Sequence, residues 1–284
     1  MFERFSRSWT LIKASASVLR QDKELLVFPL LSAIATLLVV ATFMLPLFGM
    51  GVLEQLGHDS EQPLPVAAYL LGFLFYLAQY TVIFFFNTAL VGAAMIRLRG
   101  GDPTVSDGLR IAMGKLPAIF GYALIAATVG MILRAVQERA GWLGRWVAGL
   151  LGAAWTVASF LVVPVLVSRD IGAIDAVKES ASLLRKTWGE NVIGQGGIGL
   201  VFGLITFAVV LIGVALIVAA TMSQSVVLIG GAVALVVTTV LGLALIQTAL
   251  SGIYSAALYR HASGEGGSDG FDNVLLGQAF AVKR

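Results

Sequence analysis

Six stretches of this chain carry no Asp, Glu, Lys, Arg or His, and each has about the length needed to cross a lipid bilayer. They are Leu25–Val52, Val66–Ile96, Leu116–Leu133, Trp146–Val167, Val192–Met222 and Val226–Tyr259. A helix rises about 1.5 Å per residue and the hydrocarbon core is about 30 Å thick, so roughly 20 apolar residues suffice. Only helices and closed barrels satisfy every backbone N–H and C=O inside lipid. Continuous apolar runs of this length therefore predict an all-α polytopic membrane protein with six transmembrane helices. Only 12% of the residues are charged, against about 25% in a usual soluble domain. The fifth and sixth runs are parted only by Ser223, Gln224 and Ser225, which predicts a tight antiparallel hairpin.

Basic residues sort by side. Arg134, Arg139 and Arg145 stand at the ends of spans three and four, and the other sixteen of the 19 Lys and Arg fall on the opposite side. The positive-inside rule then places both termini in the cytosol of a bacterial inner membrane. The first outer loop, EQLGHDSEQPLP, carries no Lys or Arg and agrees. Residues 1–20 mix Glu3, Arg4, Arg7, Lys13 and Arg20 with apolar residues, so they lack the uninterrupted core of a signal peptide.

Between the spans lie segments with helical periodicity. In Ala173–Asn191, Ile174, Val177, Ala181, Leu184 and Trp188 step by three and four and form one apolar stripe. Phe2, Phe5, Trp9, Ile12, Ala16 and Leu19 do the same, as do Val105, Leu109, Met113 and Leu116. FDNVLLGQAFAVKR at the end is a shorter fourth case. This predicts three or four cytosolic amphipathic helices, which either pack on the bundle or lie on the membrane surface. Trp9 and Trp188 suit an interfacial depth, with Arg185 and Lys186 near anionic headgroups.

Shared fragments predict a repeat. NTALVG (Asn87–Gly92) recurs as QTALSG (Gln247–Gly252), each followed by an arginine, Arg97 and Arg260. Asp107, Asp175 and Asp269 each stand where a helix N-cap belongs. The expected organisation is one integral membrane domain, residues 1–284. It comprises units 1–97, 98–169 and 170–260, each an amphipathic helix and two spans, and a tail, 261–284.

Few residues carry chemistry. No cysteine is present, which removes disulfides, thiolate metal sites and cysteine nucleophiles. His58 and His261 fall on opposite sides of the bilayer, so neither a metal site nor a Ser-His-Asp triad assembles. Nucleic-acid binding is not indicated, since no basic cluster is interleaved with aromatics. The strongest polar groups inside spans are Gln79, Asn87 and Gln247, read as interhelical hydrogen-bonders or as the lining of a pathway. GQGGIG (Gly194–Gly199) matches a dinucleotide fingerprint in letters but lacks its strand. It reads instead as close helix packing through Gly199 and Gly203, with Gly252 and Ala256 as a second small-residue pair. RAVQERAGWLGRW (Arg134–Trp146) reads as an interfacial helix or turn, with Arg139 and Arg145 placed to meet anionic lipid.

The stretches Phe2–Ala35 and Val163–Gly194 resemble a functionally uncharacterised family of bacterial and archaeal polytopic membrane proteins. The run Asp175, Ala176, Val177, Lys178, Glu179, Ser180 is more distantly similar to membrane domains that accompany some glycerophosphodiester phosphodiesterases. The resemblance implies a fold and a location, with no catalytic residues or cofactor. The expectation is a non-enzymatic membrane protein that assembles as a homo-oligomer through small-residue faces and organises lipid through its cytosolic helices. The alternative is a channel or transporter for a small solute or lipid.

Overall fold

The computed structural model describes residues 13–49, 66–139, 141–186 and 188–264. Among these residues every regular element is helical. Residues 13–21 are helical, a 3-10 turn follows at Lys23–Leu26, and the α-helices are α1 (Val27–Gly49), α2 (Val66–Arg97), α3 (Val105–Gly114), α4 (Leu116–Arg139), α5 (Trp142–Ala158), α6 (Val162–Ser168), α7 (Ala173–Lys186), α8 (Trp188–Met222) and α9 (Val226–Ser263). Among the described residues six stretches are long and apolar enough to span a bilayer: Lys23–Leu45, Tyr69–Arg97, Leu116–Gln137, Gly144–Ser168, Gly196–Met222 and Val226–Ser263. The protein is an all-α polytopic membrane protein. A helix precedes each pair of spans: residues 13–21, α3 and α7.

Six threonines of the spans hide their hydroxyls within their own backbone. Thr42, Thr81, Thr128, Thr156, Thr239 and Thr248 each donate to the carbonyl four residues earlier, at 2.7–2.9 Å. With no water in the hydrocarbon, a hydroxyl lacking such an acceptor would cost several kcal/mol, roughly, so the local bond is the cheap solution.

The contacts divide the chain into two compact units. One comprises Met1–Leu26, Ala94–Asp102 and Thr187–Arg284, and the other Val27–Ala93 and Pro103–Lys186. In the first, α8 and α9 form the expected hairpin. Its turn puts Gln224 at φ 52, and Ser225 caps α9 by accepting from the Leu228 N–H at 3.4 Å. The hairpin crosses closely at Gly213, where an added Cβ would stand 2.6 Å from a Val236 methyl. Near its C-terminal end α9 is buried continuously from Gly252 to Arg260.

The end of α2 also belongs to that unit. The Gly101 N–H bonds the Ile96 carbonyl at 3.0 Å and the Gly100 N–H bonds Arg97 at 2.9 Å. Gly100 has φ 82, which makes this a Schellman ending. The motif leaves the Leu98 carbonyl over, and the buried Arg260 guanidinium of α9 donates to it. A cation at a helix C-terminus also faces the negative end of the helix dipole.

In the second unit the fourth span is broken. α5 stops at Ala158, three residues turn, and α6 resumes at Val162. Pro164 explains the break, since it has no N–H for the Phe160 carbonyl and its ring would clash there. Val162 N–H bonds Ser159 instead of Ala158, at 3.1 Å. The Ala158 carbonyl and the Leu161 N–H thus lose their helical partners.

Candidate functional site

The side chain that repairs this break comes from α7. Ser180 is wholly buried; its hydroxyl donates to the Ala158 carbonyl at 2.7 Å and accepts from the Leu161 N–H at 3.1 Å. One hydroxyl satisfies both orphaned groups, so α7 is docked on the broken span at a single register. Two further ties hold the same corner. Lys115 donates to the Arg169 carbonyl at 2.8 Å and pairs with Asp170 at 3.3 Å, and Arg169 pairs with Glu179 at 2.9 Å. Close packing of α4 on α7 is set by Gly121, where a Cβ would stand 3.3 Å from that of Ala173.

The docked face of α7 is Ala176, Ser180 and Leu184. Leu184 keeps its place from the expected apolar stripe, but the rest is corrected, for Ile174 is 63% exposed and Ala181 is also exposed, while Val177 is half-buried. Ala176 and Ser180 take the buried face because small residues let the helices approach closely enough for the Ser180 bonds. The outward face then reads Ile174, Lys178, Ala181, Arg185, at steps of four, three and four, with Lys178 paired to Asp175 at 3.3 Å.

α3 is built the same way. Its N-cap is Thr104 rather than Asp107: Thr104 accepts from the Asp107 N–H, and Asp107 accepts from the Thr104 N–H at 3.0 Å in a capping box. The Thr104 hydroxyl and N–H bonds, with a smaller pull from Arg110, hold the Asp107 carboxyl below the usual carboxylate range. Asp175 likewise lies within the first turn of α7 and not at its cap. Gly108 and Ala112 face inward, Gly108 because a Cβ would stand 2.5 Å from the Phe28 ring and 2.7 Å from the Ala89 carbonyl. Met113, 59% exposed, and Arg110 point away.

An aromatic ladder climbs the same unit. Tyr76, Tyr80 and Phe84 stack at i, i+4 and i+8 along α2, and Phe84 stacks on Tyr122 of α4 at 4.3 Å between centroids. Arg134 donates to the Tyr76 hydroxyl at 2.9 Å, and Tyr122 faces Ser159 at the break in the fourth span. The four-residue spacing of the rings on α2 was the available signal.

Of the polar residues singled out in the spans, Gln79 has a buried Oε1 that accepts no hydrogen bond among the described residues. Asn87 is half-buried on the same helix, about 12 Å further along by helical rise. Gln247 is half-buried on α9. Gly252 and Ala256 are buried, with Ser255 donating to the Gly252 carbonyl at 2.8 Å. Gly199 and Gly203 have nothing within 4 Å of an added Cβ, so within one chain the close approach on α8 is at Gly213. Arg185 is exposed. Trp9 and Asp269 lie outside the described residues, as do the side chains of Lys186 and Trp188.

In the first unit Asp22 is 6% exposed. Its Oδ1 accepts from the Glu24 N–H at 3.2 Å, and its Oδ2 has no hydrogen-bond partner among the described residues. Burial pushes its carboxyl above the ordinary aspartate value, against the Glu24 N–H and the Arg97 guanidinium, which pull it down. Among the described residues no group of His, Cys, Asp and Glu is placed to hold a metal ion.

Residues 66–271 match a family of unknown function, DUF6159. The chain belongs to the DUF6159 family. The DUF6159 match includes Val163–Gly194, hence Ser180 and the broken fourth span, and leaves Phe2–Ala35 outside. No curated protein matches the chain.

Proposed function

We propose that this DUF6159 protein is a non-enzymatic integral membrane protein that organises the membrane around it through cytosolic helices held rigidly at the lipid surface. The observation that carries this reading is the outward face of α7. Ile174, Lys178, Ala181 and Arg185 alternate apolar and basic residues on a helix pinned to the bundle by Ser180. Apolar side chains at that level enter the acyl boundary while the bases meet anionic headgroups. α3 repeats the arrangement on a smaller scale with Met113 and Arg110. The threefold unit of helix plus two spans belongs to this reading, as does self-association.

The test is reconstitution of the full chain in vesicles of phosphatidylethanolamine and phosphatidylglycerol. Vesicle shape is followed by electron microscopy and lipid clustering by self-quenching of labelled phosphatidylglycerol. The protein should reshape vesicles or cluster the anionic lipid, and Ile174→Asp with Lys178→Glu and Arg185→Glu should abolish the effect. A monodisperse monomer with no influence on shape or lipid distribution would end this reading.

A second reading, transport of a small solute, is favoured by one observation. The Gln79 carboxamide and the Tyr76–Tyr80–Tyr122 hydroxyls lie in a single unit. Flux that Gln79→Leu abolishes in those vesicles would favour it over the first.

A further inference from the structure

At the opposite end of the fourth span from Ser180, one face of α5 forms an open groove of about 460 Å³. Trp142, Arg145, Trp146, Gly149 and Leu150 line it. These residues recur at i, i+3, i+4, i+7 and i+8, so they share one helical face. Trp142 is 69% exposed and Trp146 68%. Gly149 forms the floor: nothing lies within 4 Å of where its Cβ would stand. The apolar span begins at Gly144, which puts Arg145 at the boundary between headgroups and acyl chains. Side chains on a helix lean toward its N-terminus, and the N-terminus of α5 is the boundary end, so the arginine and both indoles reach toward the headgroups. Leu150 lies about 12 Å deeper than Trp142, at acyl-chain level.

Charge decides the occupant. Of the three arginines at this end of the spans, Arg134 is engaged with Tyr76, whereas the exposed Arg145 makes no side-chain bond with the described residues. The groove lining contains one cation and no carboxylate. It complements a phosphodiester with no compensating amine, whose acyl chain can lie over Gly149 against Trp146 and Leu150. We propose that this groove is a binding site for an anionic phospholipid of the phosphatidylglycerol class in the leaflet at that end. The site is separate from the α7 surface and stands or falls without it.

The test uses the full chain with Trp9, Trp155 and Trp188 changed to Phe, so that only Trp142 and Trp146 emit. It is reconstituted in phosphatidylcholine vesicles holding a minor fraction of phosphatidylglycerol, with brominated acyl chains on one lipid or the other. An interfacial basic residue enriches anionic lipid by about fivefold. Quenching by brominated phosphatidylglycerol should therefore exceed random mixing by that order. Arg145→Gln should return it to parity, and high salt should do the same to the unsubstituted protein. Gly149→Leu, whose Cβ has nothing within 4 Å, should fill the groove and cut the excess while circular dichroism shows the helices intact. Equal quenching by the two lipids, a preference for phosphatidylcholine, or an excess unmoved by both salt and Arg145→Gln would overturn the proposal. Those are the outcomes a groove reserved for a protein neighbour would give.

Discussion

Replacing Ser180 with Ala removes one hydroxyl and strands two backbone groups. The Ala158 carbonyl, at 2.7 Å, and the Leu161 N–H, at 3.1 Å, both lose the partner that stands in for the helical bonds Pro164 disrupts nearby. Ser180 and Leu161 are both wholly buried, and the half-buried Ala158 lies inside a span, where lipid and not water borders it, so water does not take over. Each stranded group costs about 1–3 kcal/mol, and partial relaxation of the turn puts the sum at roughly 2–4 kcal/mol. An ordinary exposed hydrogen bond would be worth about 1 kcal/mol or less. At about 2–4 °C per kcal/mol for a chain of this size, the unfolding midpoint in detergent should fall by roughly 4–16 °C. The control is Ser182→Ala on the exposed side of the same helix, which changes helix propensity in the same way and should move the midpoint by about 2 °C or less. Circular dichroism and a thiol-independent dye would both read the transition. A Ser180→Ala midpoint within error of the Ser182→Ala midpoint would refute the claim that the hydroxyl bridges the break.

Gly108→Ala should destabilise by about 1–3 kcal/mol, because its Cβ meets the Phe28 ring and the Ala89 carbonyl, whereas Gly114→Ala on the same helix meets nothing and should be neutral or slightly stabilising; chemical denaturation in mixed micelles compares the two. Gln224→Gly should raise stability by about 0.5–1 kcal/mol, since it relieves a left-handed φ in the α8–α9 turn and offsets its own unfolded-state entropy; an equal or lower midpoint would contradict the turn geometry. Asp107 has a depressed folded-state pKa, so its contribution to α3 is complete at neutral pH and is lost as pH falls through that depressed value. Amide exchange in the first turn of α3 should accelerate only below the usual carboxylate range, and Thr104→Val should move that onset upward.

The spans were legible because lipid leaves little choice: an uncharged run of sufficient length has one stable form, and Ser223–Ser225 leaves room only for a hairpin. The docking of α7 was not. A helical wheel weighs apolarity, which singles out Ile174 and Ala181, but helix contact inside a membrane protein selects small residues that let backbones approach, and so Ala176 and Ser180 are buried. Periodicity marks Gly199 and Gly203, while the close crossing with α9 falls at Gly213 opposite Val236. Pro164 lies inside a run read as one unbroken span, Trp146–Val167, and nothing local says that a serine sixteen residues later supplies the missing bonds. Thr104 was passed over as a cap because Asp107 is the stronger-looking residue, and in a capping box the acid sits three positions inside.

We infer a six-span chain whose basic segments, α7 included, share one side of the membrane. The absence of native cysteine makes single-cysteine labelling clean. Ser60→Cys, in the loop between the first two spans, and Ser182→Cys, on the exposed face of α7, would be treated in intact cells with a membrane-impermeant maleimide. The first should be labelled at once and the second only after the membrane is opened. Labelling of Ser182→Cys in sealed cells, or protection of Ser60→Cys, would contradict that topology.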